Sequence, residues 1–211
     1  MKLHTNEWYT YPKDTINIET CSKLIELAKY RWEESTVNIN KDITKEERIT
    51  GSVQKFEPDH TLRISELCWA NEQWIYDMIW PYMEHANEDA GWGYHIKAAE
   101  SNQITRYEKG GYYSFHSDGL GDKLSVYKEP DKPFMNSHVR KLSMSIFLND
   151  DFEGGDFEFA SYSKEQCIVS PIKPERGSLV VFPSAIEHRV TPVTKGTRYS
   201  LVTWFLGPPF V

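Results

Sequence analysis

Apolar residues fall into two different rhythms along this chain, and the change of rhythm divides it. In "ETCSKLIELAKYRWEES", Cys21, Leu24, Ile25, Ala28 and Trp32 recur at i, i+3, i+4, i+7 and i+11. That period puts them on one face of an amphipathic helix, with Thr20 as its expected cap. A second helical stripe joins Ile75, Met78, Ile79, Tyr82, Met83 and Ala86. Pro81 interrupts this stripe, so a kink or two short helices is expected there. Both stripes read as surfaces that face a core.

From about residue 93 the rhythm shortens. "GYHIKAAESNQITRYEKGG", "RKLSMSIFLNDDFEGGDFEFA", "RGSLVVFPS", "HRVTPVTKG" and "TRYSLVTWFLG" alternate or run apolar between Gly, Pro, Asp and Ser punctuation. Such a series predicts an antiparallel sandwich or jelly roll with helices along one side. The expected organisation is an N-terminal helical segment (1–92) packing on a jelly-roll core (93–211), the two forming one integrated domain. Between the strands, "GLGDKLSVYKEPDKPFMNSH" (119–138) has no periodicity, and a loop of that length is a natural lid or gate.

Composition narrows the class. Hydrophobic residues at 39% and aromatics at 14% suit a globular protein. No apolar run approaches the roughly 20 residues of a membrane span, and the first residues lack the apolar stretch of a secretory signal. A net charge of -7 argues against a nucleic-acid backbone as partner. Three well-separated cysteines, Cys21, Cys68 and Cys167, read as reduced thiols of a cytoplasmic protein.

The candidate chemistry starts at "YYSFHSDG". His116 and Asp118 stand two apart, so on an extended strand both side chains reach one point in space. They are two thirds of the 2-His-1-carboxylate triad that holds Fe(II) and leaves positions open. Alone, the pair is a pattern that chance supplies readily. His188, after the strand "GSLVVFPS" and opening "HRVTPV", is the best third ligand. In "TRYSLVTWF", alternation places Arg198, Ser200, Val202 and Trp204 on one face. An inward guanidinium needs an anion, either a core carboxylate or a ligand carboxylate, to which Ser200 adds a hydrogen bond.

The run Y-E-K-G-G-Y-Y-S-F-H-S-D from Tyr107 to Asp118 resembles the Y-x-x-G-x-x-Y-x-x-H-x-D signature of the prolyl 4-hydroxylase branch of the 2-oxoglutarate and Fe(II)-dependent oxygenases. Tyr107, Gly110, Tyr113, His116 and Asp118 match. "LSMSIFLNDDFEGGDFEF" and "ERGSLVVFPSAIEHRVTPVTKGTRYSLVTWF" are similar to the later blocks of that branch. "LRISELCWANEQWIYDMIW" resembles the bacterial PKHD-type hydroxylases more loosely. The resemblance spans residues 62–206.

It implies a double-stranded β-helix that couples oxidative decarboxylation of 2-oxoglutarate to hydroxylation of an unactivated C–H bond. The implied target is a prolyl residue of a peptide or protein; another side chain or a free amino acid is the alternative. His116, Asp118 and His188 are the implied Fe(II) ligands, and Arg198 the partner of the distal 2-oxoglutarate carboxylate. Ser200, Tyr107 and Trp204 are implied around the cosubstrate. O2 is the oxidant, and ascorbate is a compatible addition. Phe147 stands where some prolyl hydroxylases carry a tyrosine. Tyr113 and Asn149 are explained as well by packing or turn capping as by a ligand. The rival class is a cupin-like isomerase or sugar-binding module, in which Arg198 forms an ordinary ion pair.

Overall fold

The computed structural model describes residues 7–38, 56–119, 126–162 and 167–210. In chain order its main elements begin with β1 (Tyr9–Tyr11), α1 (Ile18–Ala28), β2 (Arg63–Ile64), β3 (Glu66–Ala70), α2 (Gln73–Asp89) and β4 (Asn102–Tyr107). They continue with β5 (Tyr112–His116), β6 (Val139–Phe147), β7 (Phe157–Tyr162) and β8 (Cys167–Ile172). The last three are β9 (Leu179–Pro183), β10 (Glu187–Val190) and β11 (Arg198–Gly207).

The larger sheet runs β1-β9-β6-β11-β4-β3, with Glu33–Glu34 beyond β3 and Ala98–Ala99 beside β11. The smaller sheet runs β8-β7-β10-β5-β2. Strands pair antiparallel throughout both sheets, and the fold is a jelly roll.

β6 shows how the sequence builds the two layers. Successive side chains of a strand point to opposite faces. Leu142, Met144 and Ile146 therefore join Leu24, Ala28, Ile75, Ile79 and Met83 of the helices in one buried cluster. Each fully buried aliphatic side chain there contributes about 1.5–3 kcal/mol. The alternate residue Phe147 points between the sheets, where it meets Phe157, and Phe182 meets Phe159. This second, aromatic cluster forms the floor on which the candidate site is built.

Three local expectations are corrected. The cap of α1 is Asn17, whose Oδ1 accepts the Thr20 N–H at 2.8 Å. Thr20 is inside the first turn, where its N–H is one of the donors a cap must satisfy. Of the two outcomes expected at Pro81, the pair of short helices is overturned: α2 is continuous from Gln73 to Asp89. Pro81 sits on the exposed side, so the carbonyl it leaves without a helical donor is on the solvent face. The first 92 residues are also not purely helical. They supply β1, β2, β3 and Glu33–Glu34, and β3 pairs along its length with β4.

Of the segment expected to form a gate, residues 120–125 lie outside the described residues. Residues 126–138 fold back on themselves, with Tyr127 and His138 joined by a backbone hydrogen bond of 2.9 Å. Among the described residues no helix is long and apolar enough to cross a membrane.

Candidate metal centre

β5 and β10 are neighbours, and their register sets His116 directly opposite His188. Asp118 follows two residues past His116, its N–H held by the Ser184 carbonyl at 2.9 Å. One ligand atom from each of the three side chains falls within 4.8 Å of the others. Asp118 Oδ1 is 3.9 Å from His116 Nε2, and Oδ2 is 3.7 Å from His188 Nε2.

Both imidazoles are oriented by the same local device. His116 Nδ1 is 2.8 Å from the Ser114 carbonyl, and His188 Nδ1 is 3.0 Å from the Ile186 carbonyl. A carbonyl only accepts, so each Nδ1 carries the proton and each Nε2 turns a lone pair to the cluster. That is a donor set of two imidazole nitrogens and one carboxylate oxygen, and it fits a divalent transition metal.

Packing makes the cluster stiff and dry on one side. The Tyr113 ring stacks on His116 at 3.5 Å and 15°, and the Arg63 guanidinium lies 4.7 Å from the Tyr113 ring. Phe157 stacks on His188, and Phe182 meets it edge-on. Burial, with His188 adding to it, pushes the His116 imidazole down to about 3, so it is neutral and able to ligate. For Asp118 burial acts upward. His188, His116, Arg140 and the Ser143 hydrogen bond outweigh it and hold the carboxyl below its usual range.

A cavity of about 620 Å³ joins this cluster to Tyr107, Arg198, Ser200 and Trp204. Arg198 is 1% exposed. Its Nη1 donates to Ser200 Oγ at 3.2 Å, while Nε and Nη2 are buried without a hydrogen-bond partner among the described residues. Its guanidinium carbon lies 5.3 Å from the Tyr107 ring and 5.4 Å from the Phe147 ring. Burial pushes it down to about 10, with Tyr107 and Asp156 opposing that shift. A buried guanidinium with donors to spare is costly until an anion fills the space beside it. A carboxylate group of a small ligand fits that demand. Gly155 leaves room for the arginine stem: a β-carbon there would stand 3.0 Å from Arg198 Cδ.

Trp204 lines the same cavity with its Nε1–H unpartnered and Arg140 stacked on its ring at 4.1 Å. Asn149 plays a different part. It receives the Tyr199 N–H and donates to the Thr197 carbonyl, fastening the residues just after β6 to the start of β11.

Several cavity residues carry no motif and escape sequence reasoning. Arg140 makes a two-pronged ion pair with Glu100 at 2.6 and 2.7 Å, and Tyr127 donates to the same carboxylate at 2.9 Å. Strict alternation would put Arg140 with Leu142 on the helix-facing side of β6, and the β-bulge between them turns it into the cavity instead. Ser143 and Ser145 did leave a signal, because small polar residues alternate with Leu142, Met144 and Ile146.

Residues 102–206 match the family model of the 2OG-Fe(II) oxygenase superfamily. A PKHD-type hydroxylase of Xylella fastidiosa (strain M12) is 33% identical over 105 residues, which are 48% of this chain and 42% of that protein. The chain thus spans less than half the length of this curated relative. The viral collagen prolyl hydroxylase of Paramecium Bursaria Chlorella virus-1, solved as a 2OG complex, superposes with a TM-score of 0.61 at 17% identity. That match covers 96% of this chain and 97% of the other. A Trichoplax adhaerens prolyl hydroxylase, in complex with a hypoxia inducible factor oxygen degradation domain peptide fragment, gives 0.60 at 16%, covering 96% and 84%. At these identities the two structures show a shared fold.

Proposed function

The chain belongs, through residues 102–206, to the 2OG-Fe(II) oxygenase superfamily, and on that premise we propose that it is a dioxygenase hydroxylating a prolyl residue of a peptide or protein. The observation that carries the reading is Arg198, buried with two unused donor nitrogens in the same cavity as His116, Asp118 and His188. The cupin-like alternative needs an ion-pair partner for Arg198, and among the described residues no carboxylate lies within ion-pair distance of it.

His116, Asp118 and His188 would hold Fe(II) from one side. When bound, iron with 2-oxoglutarate and O2 supplies the oxidising chemistry, giving succinate and carbon dioxide as one oxygen atom passes to the substrate. Arg198 takes the distal carboxylate of 2-oxoglutarate, and Ser200 steadies the guanidinium. Tyr107 and Phe147 wall the same end, where Phe147 has no hydroxyl to contribute. Phe157, Phe182 and Val190 keep water from the inner side of the cluster. Trp204 and Arg140 line the same cavity. The prolyl target is supported by the signature from Tyr107 to Asp118. The three free cysteines, two of them buried, support a reducing compartment such as the cytoplasm.

The test is anaerobic addition of Fe(II) and 2-oxoglutarate, read by the weak visible charge-transfer band of the ternary complex. Wild-type protein develops the band and His116→Ala does not; absence in the first or persistence in the second overturns the reading. Mass spectrometry of proline-containing peptides after turnover then tests the substrate, by the gain of one oxygen on proline.

A further inference from the structure

Ser143 is an odd residue for its place. It lies mid-strand in β6, with Phe182 and Trp204 as cross-strand partners, and is 0% exposed. A hydroxyl buried there is costly unless hydrogen-bonded. Its Oγ donates to Asp118 Oδ2 at 2.7 Å. Ser184 Oγ, 1% exposed, lies 2.9 Å from Ser143 Oγ. Each hydroxyl has one hydrogen, and that of Ser143 goes to the carboxylate, so Ser184 must donate to Ser143. Ser184 also accepts the Asp118 N–H through its carbonyl and donates its own N–H to the Lys141 carbonyl at 3.0 Å. Asp118 is thereby tied at backbone and side chain to the end of β9 and the middle of β6.

We propose that Ser143, backed by Ser184, is a positioning residue that fixes the rotation of the Asp118 carboxylate, so that it meets the metal in a single orientation. This rests on the metal-centre reading above. Held this way, Oδ1 faces His116 Nε2 at 3.9 Å and Oδ2 faces His188 Nε2 at 3.7 Å. Without the Ser143 bond the carboxylate is free to rotate and to present its oxygens to the metal in more than one way. Holding one oxygen from outside the ligand set limits that freedom, as hydrogen bonds to ligating carboxylates do.

Co(II) serves as the probe, because calorimetry reads its affinity and its visible d–d spectrum reads its coordination number. Ser143→Ala is expected to lower Co(II) affinity by about 10- to 100-fold and to change the d–d spectrum. Ser143→Thr, which keeps the hydroxyl, restores both. Ser184→Ala leaves the β6 wall intact and is expected to shift both readouts in the same direction by less, which covers a failure of Ser143→Ala to fold. If Ser143→Ala or Ser184→Ala lowers only the melting temperature and leaves affinity and spectrum as in wild type, the role is structural and the inference falls. Failure of the wild-type protein to bind Co(II) overturns the metal-centre reading and this inference together.

Discussion

His116 and His188 are cross-strand partners, their ring centroids 4.3 Å apart and each Nδ1 tied to the carbonyl two residues before it. The backbone therefore aims both Nε2 atoms, and no long-range side-chain contact is needed to do so. Replacing His188 by Ala removes a ligand and leaves its strand in place. The expected result is a loss of Co(II) affinity of more than about 100-fold, beyond what a supporting hydrogen bond costs. Unchanged circular dichroism would confirm that the loss is local.

Arg198 predicts a trade between stability and ligand binding. Its charge is buried and two of its nitrogens are unsatisfied. Arg198→Met removes that penalty and is expected to stabilise the ligand-free protein by about 1–3 kcal/mol. In a chain of this size that raises Tm by at least about 2 °C. The same variant should lose 2-oxoglutarate binding in calorimetry. A lower Tm would mean that Arg198 has a partner in the folded protein.

Gly155 tests the space around the same arginine. Its φ is +64°, and a β-carbon would press on Arg198 Cδ and Val193 Cγ2, each at 3.0 Å. Gly155→Ala is expected to cost about 1–2 kcal/mol from the left-handed backbone alone. It should also raise the KM for 2-oxoglutarate with the Co(II) affinity unchanged. Urea unfolding and succinate formation read the two effects separately.

The Glu100–Arg140 pair is buried and two-pronged, whereas Lys195–Glu153 is a surface pair. Glu100→Ala leaves Arg140 uncompensated and strips Tyr127 of its acceptor. A loss of about 3 kcal/mol is expected in urea titration. Lys195→Ala should change stability by no more than about 0.5 kcal/mol. Equal effects would show that the Glu100–Arg140 pair is hydrated in solution.

The thiols should separate by reactivity. Cys167 is exposed, while burial pushes Cys21 up to about 11 and raises Cys68 above its usual value. Only the thiolate attacks, so a disulfide reagent at neutral pH should titrate one thiol quickly, and Cys167→Ser should abolish that phase. The other two should react on unfolding.

What the sequence by itself determined is what local periodicity and spacing can carry. The helical stripe through Leu24 and Ala28 is read correctly because residues three and four apart share a helix face whatever lies opposite. The alternation of β6 and β11 is legible for the same reason, and it puts Arg198, Ser200 and Trp204 on one face. The His-x-Asp spacing marks a possible ligand pair, since a strand returns to the same side every second residue. Asn17 as the cap and the unbroken α2 were not legible, because each depends on where a helix starts or which side faces water. Tertiary structure alone decided the rest. It set His116 against His188 through a register between strands about 70 residues apart in sequence, and a bulge moved Arg140 out of its expected phase. It also brought Ser143 of one sheet to Asp118 beside the other, and left Arg198 enclosed with no carboxylate partner among the described residues. Those facts follow from how two sheets close over each other, and no short window of sequence contains that closure.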